Sequence, residues 1–249
     1  MIHKAMLIFL LLMVTLRADT IRIAVASNMG YVMKPLKAMF TKQHPQTKVV
    51  VSLGSSGKLS AQIMHGAPYE IFISADMFFA KRLYDGGFTT DTPKIYAQGA
   101  LALFSSKRKD FSKGLHILEQ HNVHTVAMAN PKTAPYGKAA MEVLERSGIF
   151  SKIRSKLVYG ESIGHALSYA LSVADVGLVA KSSLFAPKMR DFKKNEHWIE
   201  IDKTLYSPIN QGIVLLKNSK NSKEAQAFYR FMLGNGAQKI LKNFGYHTL

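Results

Sequence analysis

The sequence predicts an α/β chain of two lobes joined by two crossover segments, and three observations carry that expectation. Short β-branched runs alternate with helical periodicity along most of the 249 residues. Two long extended stretches, near 95–104 and 205–216, flank a self-contained α/β block. Four strand-to-helix loops are rich in serine, glycine and asparagine. Alternating strands and helices imply parallel-rich sheets. A chain that leaves one lobe, builds a second and returns needs two crossovers, which the extended stretches supply. The C-terminal ends of the strands in both lobes then face one cleft. The expected division is a leader over 1–18, lobe I over 19–98 and 207–249, and lobe II over 99–206.

The elements follow in order. Residues 1–18 hold a basic start (His3, Lys4), an apolar run of about 12 residues and a small residue, Ala18. That is the pattern of a secretory signal peptide, and the run falls short of the roughly 20 residues a membrane span requires. TIRIAVAS then reads as a strand, followed by a helix marked by Met33, Leu36, Lys37 and Phe40. Pro35 places the regular start of that helix near Met33. VVVSL feeds a helix over 58–65, and YEIFISA feeds one over 77–85 that Gly86 and Gly87 end. After the first crossover, IYAQGALALFSS, come helical HILEQ, the strand HTVAMAN and a helix over 136–147. KLVYG, a helix over 163–173, VGLVAKS and HWIEID complete the block. SPINQGIVLLK is the return crossover, and helices over 221–233 and 236–243 close the chain.

Composition narrows the function classes. With 47% hydrophobic residues the chain can bury a sizeable core. It has no cysteine, which excludes disulfides, thiolate metal sites, a cysteine nucleophile and a lipoprotein anchor. The formal charge of +17 becomes +15 once Lys4 and Arg17 are removed with the leader, 31 basic residues against 16 acidic. Those basic residues fall in short pairs, such as Lys193 and Lys194, rather than in a stripe interleaved with aromatics, so nucleic acid is not the expected partner. An exported, cysteine-free chain is expected in a bacterial periplasm.

The candidate chemistry lies in the four loops, 26–30, 54–58, 130–137 and 160–164. They carry Ser27 and Asn28; Ser55, Ser56 and Gly57; Pro135, Tyr136 and Gly137; and Ser162, Ile163 and Gly164. All offer neutral hydroxyls or open backbone. Helix starts expose unpaired N–H groups, which can hold a dianion without a counter-charged side chain. Taken singly, each loop reads first as helix capping. Asp76 reads as an N-cap, and the histidines lack metal-ligand spacing. No GxSxG elbow is present, and GSSGKL is not a phosphate-binding P-loop, because only two residues separate its glycines and Leu59 stands where Ser or Thr would meet magnesium.

AVASNM, GSSGKLSAQIMHGAPYEIFISAD, NPKTAPYGKAA and GESIGHAL, in that order, closely resemble the periplasmic molybdate-binding proteins of ABC transporters. The resemblance spans essentially the whole mature chain. It implies a type II periplasmic binding-protein fold that holds molybdate, and usually tungstate, between two lobes and passes it to an inner-membrane ABC permease. It implies no catalysis, no cofactor, no direct side-chain ligation of the metal, which enters as an oxyanion, and a monomer. By position, the anion contacts fall on Ser27, Asn28, Ser56, Tyr136 and Ile163, with Ser55 and Gly57 as neighbours. Tyr136 and Ile163 would act through their backbone N–H groups. The chain departs from some members at Ala180, where a ligand-contacting tyrosine can stand. Other readings left open are a binder of sulfate or another tetrahedral oxyanion, a secreted hydrolase, and the ligand-sensing domain of a regulator.

Overall fold

The structure is a computed structural model that describes residues 19–248. The expected signal peptide lies outside the described residues. Among the described residues, no helix is long and apolar enough to cross a membrane.

Two five-stranded sheets are built from complementary parts of the chain. The first contains β1 (Asp19–Ala26), β2 (Thr47–Gly54), β3 (Ile71–Ile73), β4 (Lys94–Gly99) and, from the far end of the sequence, β10 (Ile209–Leu215). The second contains β5 (Leu101–Phe104), β6 (Val126–Ala129), β7 (Leu157–Gly160), β8 (Val176–Ala180) and β9 (Trp198–Glu200). Strand orders are β2-β1-β3-β10-β4 and β7-β6-β8-β5-β9. The chain passes from the first sheet to the second through Ala100 alone, and returns between β9 and β10.

Both sheets are mixed rather than uniformly parallel. β1 runs parallel to β2 and β3, and β6 parallel to β7 and β8. β10 is antiparallel to β3 and β4, and β5 antiparallel to β8 and β9. The antiparallel members are those that enter from the other sheet, without a helix to reverse their direction.

The α-helices longer than one turn are α1 (Met33–Gln43), α2 (Ser56–Met64), α3 (Met77–Asp85), α4 (Pro135–Arg146), α5 (Ile163–Ser172), α6 (Lys223–Leu233) and α7 (Asn235–Asn243). HILEQ forms part of a 3-10 segment, Phe111–Glu119, broken where Gly114 takes φ +54°. The sheets are covered on both faces. On one face of the first sheet Ile21, Ile23 and Val25 pack with Leu36 and Phe40 of α1 and Phe228 of α6. The Phe40 and Phe228 rings meet edge to face at 4.9 Å. Ala24 and Phe72 look the other way, onto Leu59 of α2 and Leu83 of α3. This alternation follows from the two-residue period of a strand buried on both sides. The second sheet repeats the arrangement, with Val126, Met128 and Leu178 against Val143 and Leu144 of α4 on one face and Ala127 and Val179 against Leu167 and Ala170 of α5 on the other.

Candidate functional site

Each of the four loops leaves a strand end and turns into a helical start. Ser27–Met29 is a 3-10 turn directly after β1. The start of α2 follows β2, with Ser55 at its N-cap. The start of α4 follows β6, with Pro135 in its first turn, where the missing N–H costs nothing. The start of α5 follows β7, with Ser162 at its N-cap. They converge on one small pocket between the sheets, about 170 Å³ including its mouth. Ser27, Asn28, Ser55, Ser56, Tyr136 and Ile163 all line it, together with small groups such as Gly54, Ala75 and Ala134. The lining holds no charged side chain.

Local hydrogen bonds decide which donors remain open. Ser56 Oγ is fully buried and accepts the N–H of Ala75 at 3.0 Å, so its own proton stays free to be donated. Ser27 Oγ is used in the same way by the N–H of Gly164, at 3.2 Å, across the cleft. Ser55 is 3% exposed, makes no capping bond, and its Oγ is buried without a partner. A plain capping serine would have spent that hydroxyl on its own helix, as Ser162 does on His165 at 3.4 Å. A buried hydroxyl without a partner costs about 1–3 kcal/mol, so Ser55 Oγ is a donor left open at the pocket wall.

The backbone gives a parallel result. Tyr136 is the second residue of α4 and Ile163 the first of α5, so their N–H groups precede the first intrahelical acceptor. Gly57 differs, because its N–H is spent on the carbonyl of Thr133 at 2.9 Å, across the cleft, and Gly57 does not line the pocket. The side chain of Tyr136 lies 1% exposed, its hydroxyl accepting from Gln211 Nε2 at 3.1 Å. Gln211 was not legible as a site residue, because an isolated glutamine in an apolar strand carries no motif.

Further contacts hold the lobes together around the pocket. Lys58 and Glu161 form an ion pair of 2.6 Å, both about half exposed. Lys188 Nζ sits 4.8 Å from the centre of the Tyr31 ring. Together with the Gly57 to Thr133 and Gly164 to Ser27 bonds, these make the conformation a closed one. A larger groove, lined by Tyr31, Leu53, Gln62, Tyr69 and His165, opens on one flank and shares Ser27 and Gly54 with the pocket.

Asp76 caps α3, accepting the N–H of Phe79 at 3.1 Å. Burial holds its carboxyl above the usual range, partly offset by the Phe79 N–H and the Ser74 hydroxyl. It does not line the anion pocket. Among the described residues, no group of three or more His, Cys, Asp or Glu side chains could hold a metal ion. Ala180 is fully buried at the end of β8.

A family model described as bacterial extracellular solute-binding protein matches residues 21–247. The molybdate-binding protein ModA of Azotobacter vinelandii is 34% identical over 232 residues, which cover 92% of this chain and 90% of that one. The ModA protein of Rhodobacter capsulatus is 35% identical over 227 residues, 90% of this chain and 87% of that one. Among solved structures, the periplasmic molybdate-binding protein of Azotobacter vinelandii superposes with a TM-score of 0.85 at 32% identity, covering 92% of this chain and 99% of that one.

Proposed function

The chain belongs to the family of bacterial extracellular solute-binding proteins, and from that premise we propose that it captures molybdate between two lobes and delivers it to an ABC transporter permease. It is a binding protein and not an enzyme, as its relatives are. The observation that carries the reading is the convergence of four helical starts on one uncharged pocket. A tetrahedral dianion presents only acceptors, and this lining presents hydroxyl and N–H donors whose other bonds are already made. Neutral dipoles fixed in a water-poor space compensate the charge without an ion pair and select by distance, since each donor must meet one oxygen at about 2.7–3.2 Å.

The proposal extends to finer points. Ser27, Asn28, Ser56, Tyr136 and Ile163 contact the anion, Ser55 contributes its unspent hydroxyl, and Gly57 acts in closure. Tungstate, of the same charge and shape, binds as well. The lobes are 19–98 with 207–249, and 99–206, and they hinge at the two crossovers. Anion binding draws an open form to the closed one because only the closed form brings donors from both lobes to the ligand. The protein works as a periplasmic monomer.

A ligand that binds only the native state raises its melting temperature. Molybdate or tungstate at micromolar concentration is expected to raise it. No shift with either, alongside a clear shift with sulfate or phosphate, contradicts the assignment.

A further inference from the structure

Against the anion pocket lies a buried polar cluster of Asn28, Tyr96, Tyr136, Gln211 and Tyr246, each 3% exposed or less. Gln211 stands at a bulge, where the register between β10 and β4 shifts. Its Oε1 accepts from Tyr96 Oη at 2.5 Å and from Asn28 Nδ2 at 2.9 Å, and its Nε2 donates to Tyr136 Oη. Asn28 Nδ2 donates a second time, to Tyr246 Oη at 3.0 Å. Both hydrogens of the Asn28 amide are thereby spent inside the cluster. Its Oδ1 is left buried and without a partner, on a residue that lines the pocket. An acceptor left over there opposes an anion.

The same heavy-atom positions admit a second register, because the oxygen and nitrogen of an amide have nearly the same shape. With both amides turned by a half-turn, Gln211 Nε2 donates to Asn28 Oδ1, and Gln211 Oε1 accepts from Tyr136 Oη. Tyr246 Oη, which now donates to the Asn28 carbonyl at 3.1 Å, can turn to Asn28 Oδ1, since Ser182 Oγ also reaches that carbonyl, at 3.4 Å. The group left over is then Asn28 Nδ2, a donor. Burial raises the Tyr96 and Tyr136 hydroxyls well above their ordinary values and pushes Tyr246 up to about 12, so all three keep their protons and can donate or accept. The first register leaves Asn28 Oδ1 and the Tyr136 proton without partners, and the second leaves Asn28 Nδ2 and the Tyr96 proton so. The 2.5 Å Tyr96 contact is an O–H···O distance that suits the first register in the free protein, and a ligand that accepts from Asn28 Nδ2 favours the second.

We infer that Gln211, which does not line the pocket, is a positioning residue: by turning together with Asn28 it sets whether the anion meets an amide oxygen or an amide hydrogen. The inference rests on the oxyanion reading above. Its test is a double-mutant cycle on molybdate affinity by calorimetry, with wild type, Gln211→Leu, Asn28→Ala and the double variant. Gln211→Leu is expected to weaken binding about tenfold on its own, the loss of one bond to a charged group, and to add nothing once Asn28 is alanine. Gln211→Glu is a second variant that keeps the side-chain shape. Its ionised carboxylate can only accept, which pins the Asn28 hydrogens inward, so molybdate affinity falls as pH rises through that carboxyl's titration while wild type stays level. Losses that add in the double variant, or a pH profile for Gln211→Glu that follows wild type, overturn the inference. A wild type that binds no molybdate overturns the oxyanion reading beneath it, whereas a wild type that binds with additive losses removes the role of Gln211 alone.

Discussion

At the scale of single residues, two adjacent serines separate ligand binding from stability. Ser56 Oγ already supports the backbone by accepting the Ala75 N–H, and Ser55 Oγ supports nothing within the protein. Ser56→Ala is expected to weaken molybdate binding by about 1–3 kcal/mol and to lower the stability of the free protein, because the buried Ala75 N–H loses its acceptor. Ser55→Ala is expected to weaken binding while leaving the free protein as stable as wild type or slightly more so. Calorimetry and urea unfolding of the free variants separate the two effects. The resemblance carried by GSSGKL put the anion contact on Ser56 with Ser55 as its neighbour, but the physical difference between them was not legible, since it lies in what β3 and its following loop present to each hydroxyl. Asn28 was named as an anion contact by the resemblance. Its dependence on Gln211, 183 positions away, was not legible.

At the scale of elements, helix starts and glycines control how closely the lobes approach. A side chain on Gly57 would place its Cβ 2.9 Å from both the Phe79 ring and the Thr133 carbonyl, which belongs to the other lobe. Gly57→Ala is therefore expected to reduce molybdate affinity by hindering closure, with little change in the unfolding of the free protein, and small-angle scattering with molybdate should show less compaction than wild type. Element positions were largely legible, because serine, proline and glycine punctuate the helix starts and ends. The Met77–Asp85 helix falls where its apolar spacing put it. The strand expected over YEIFISA is regular only over Ile71–Ile73, although Glu70 and Ser74 on either side still bond to Arg22 and Gly212 of the neighbouring strands. Asp175 ties the start of β6 to that of β8, accepting from the N–H groups of His124 at 2.8 Å and Thr125 at 3.0 Å. Burial pushes its carboxyl up, but those two N–H groups and the Thr125 hydroxyl outweigh burial and bring it below 3.8. The stabilisation is present above the unfolded carboxyl's titration and is lost as pH falls through the lower folded value. Asp175→Asn should thus be about 1 kcal/mol less stable than wild type at neutral pH and equal to it in acid, as urea melts at the two pH values will read.

At the scale of the whole molecule, closure rests on short-range contacts more than on charge. The Lys58 to Glu161 pair bridges the cleft, but both partners are about half in water, where such pairs contribute about 0–1 kcal/mol. Lys58→Ala is expected to change molybdate affinity by a few-fold at most. Salt dependence of the association rate, by contrast, should report the basic surface. The two-lobe architecture was legible from two extended stretches and an enclosed α/β block, since a chain that leaves and returns must cross twice. The direction of the crossing strands was not, because an antiparallel partner from the other end of the sequence leaves no local pattern. The central claim is that a pocket of neutral donors, assembled from four helical starts, is made for molybdate. Competitive calorimetry with molybdate, tungstate, sulfate and phosphate tests it most directly. Tight binding of the first two, with sulfate and phosphate unable to displace them at comparable concentration, is the predicted result. Heat from sulfate or phosphate and none from molybdate would contradict it.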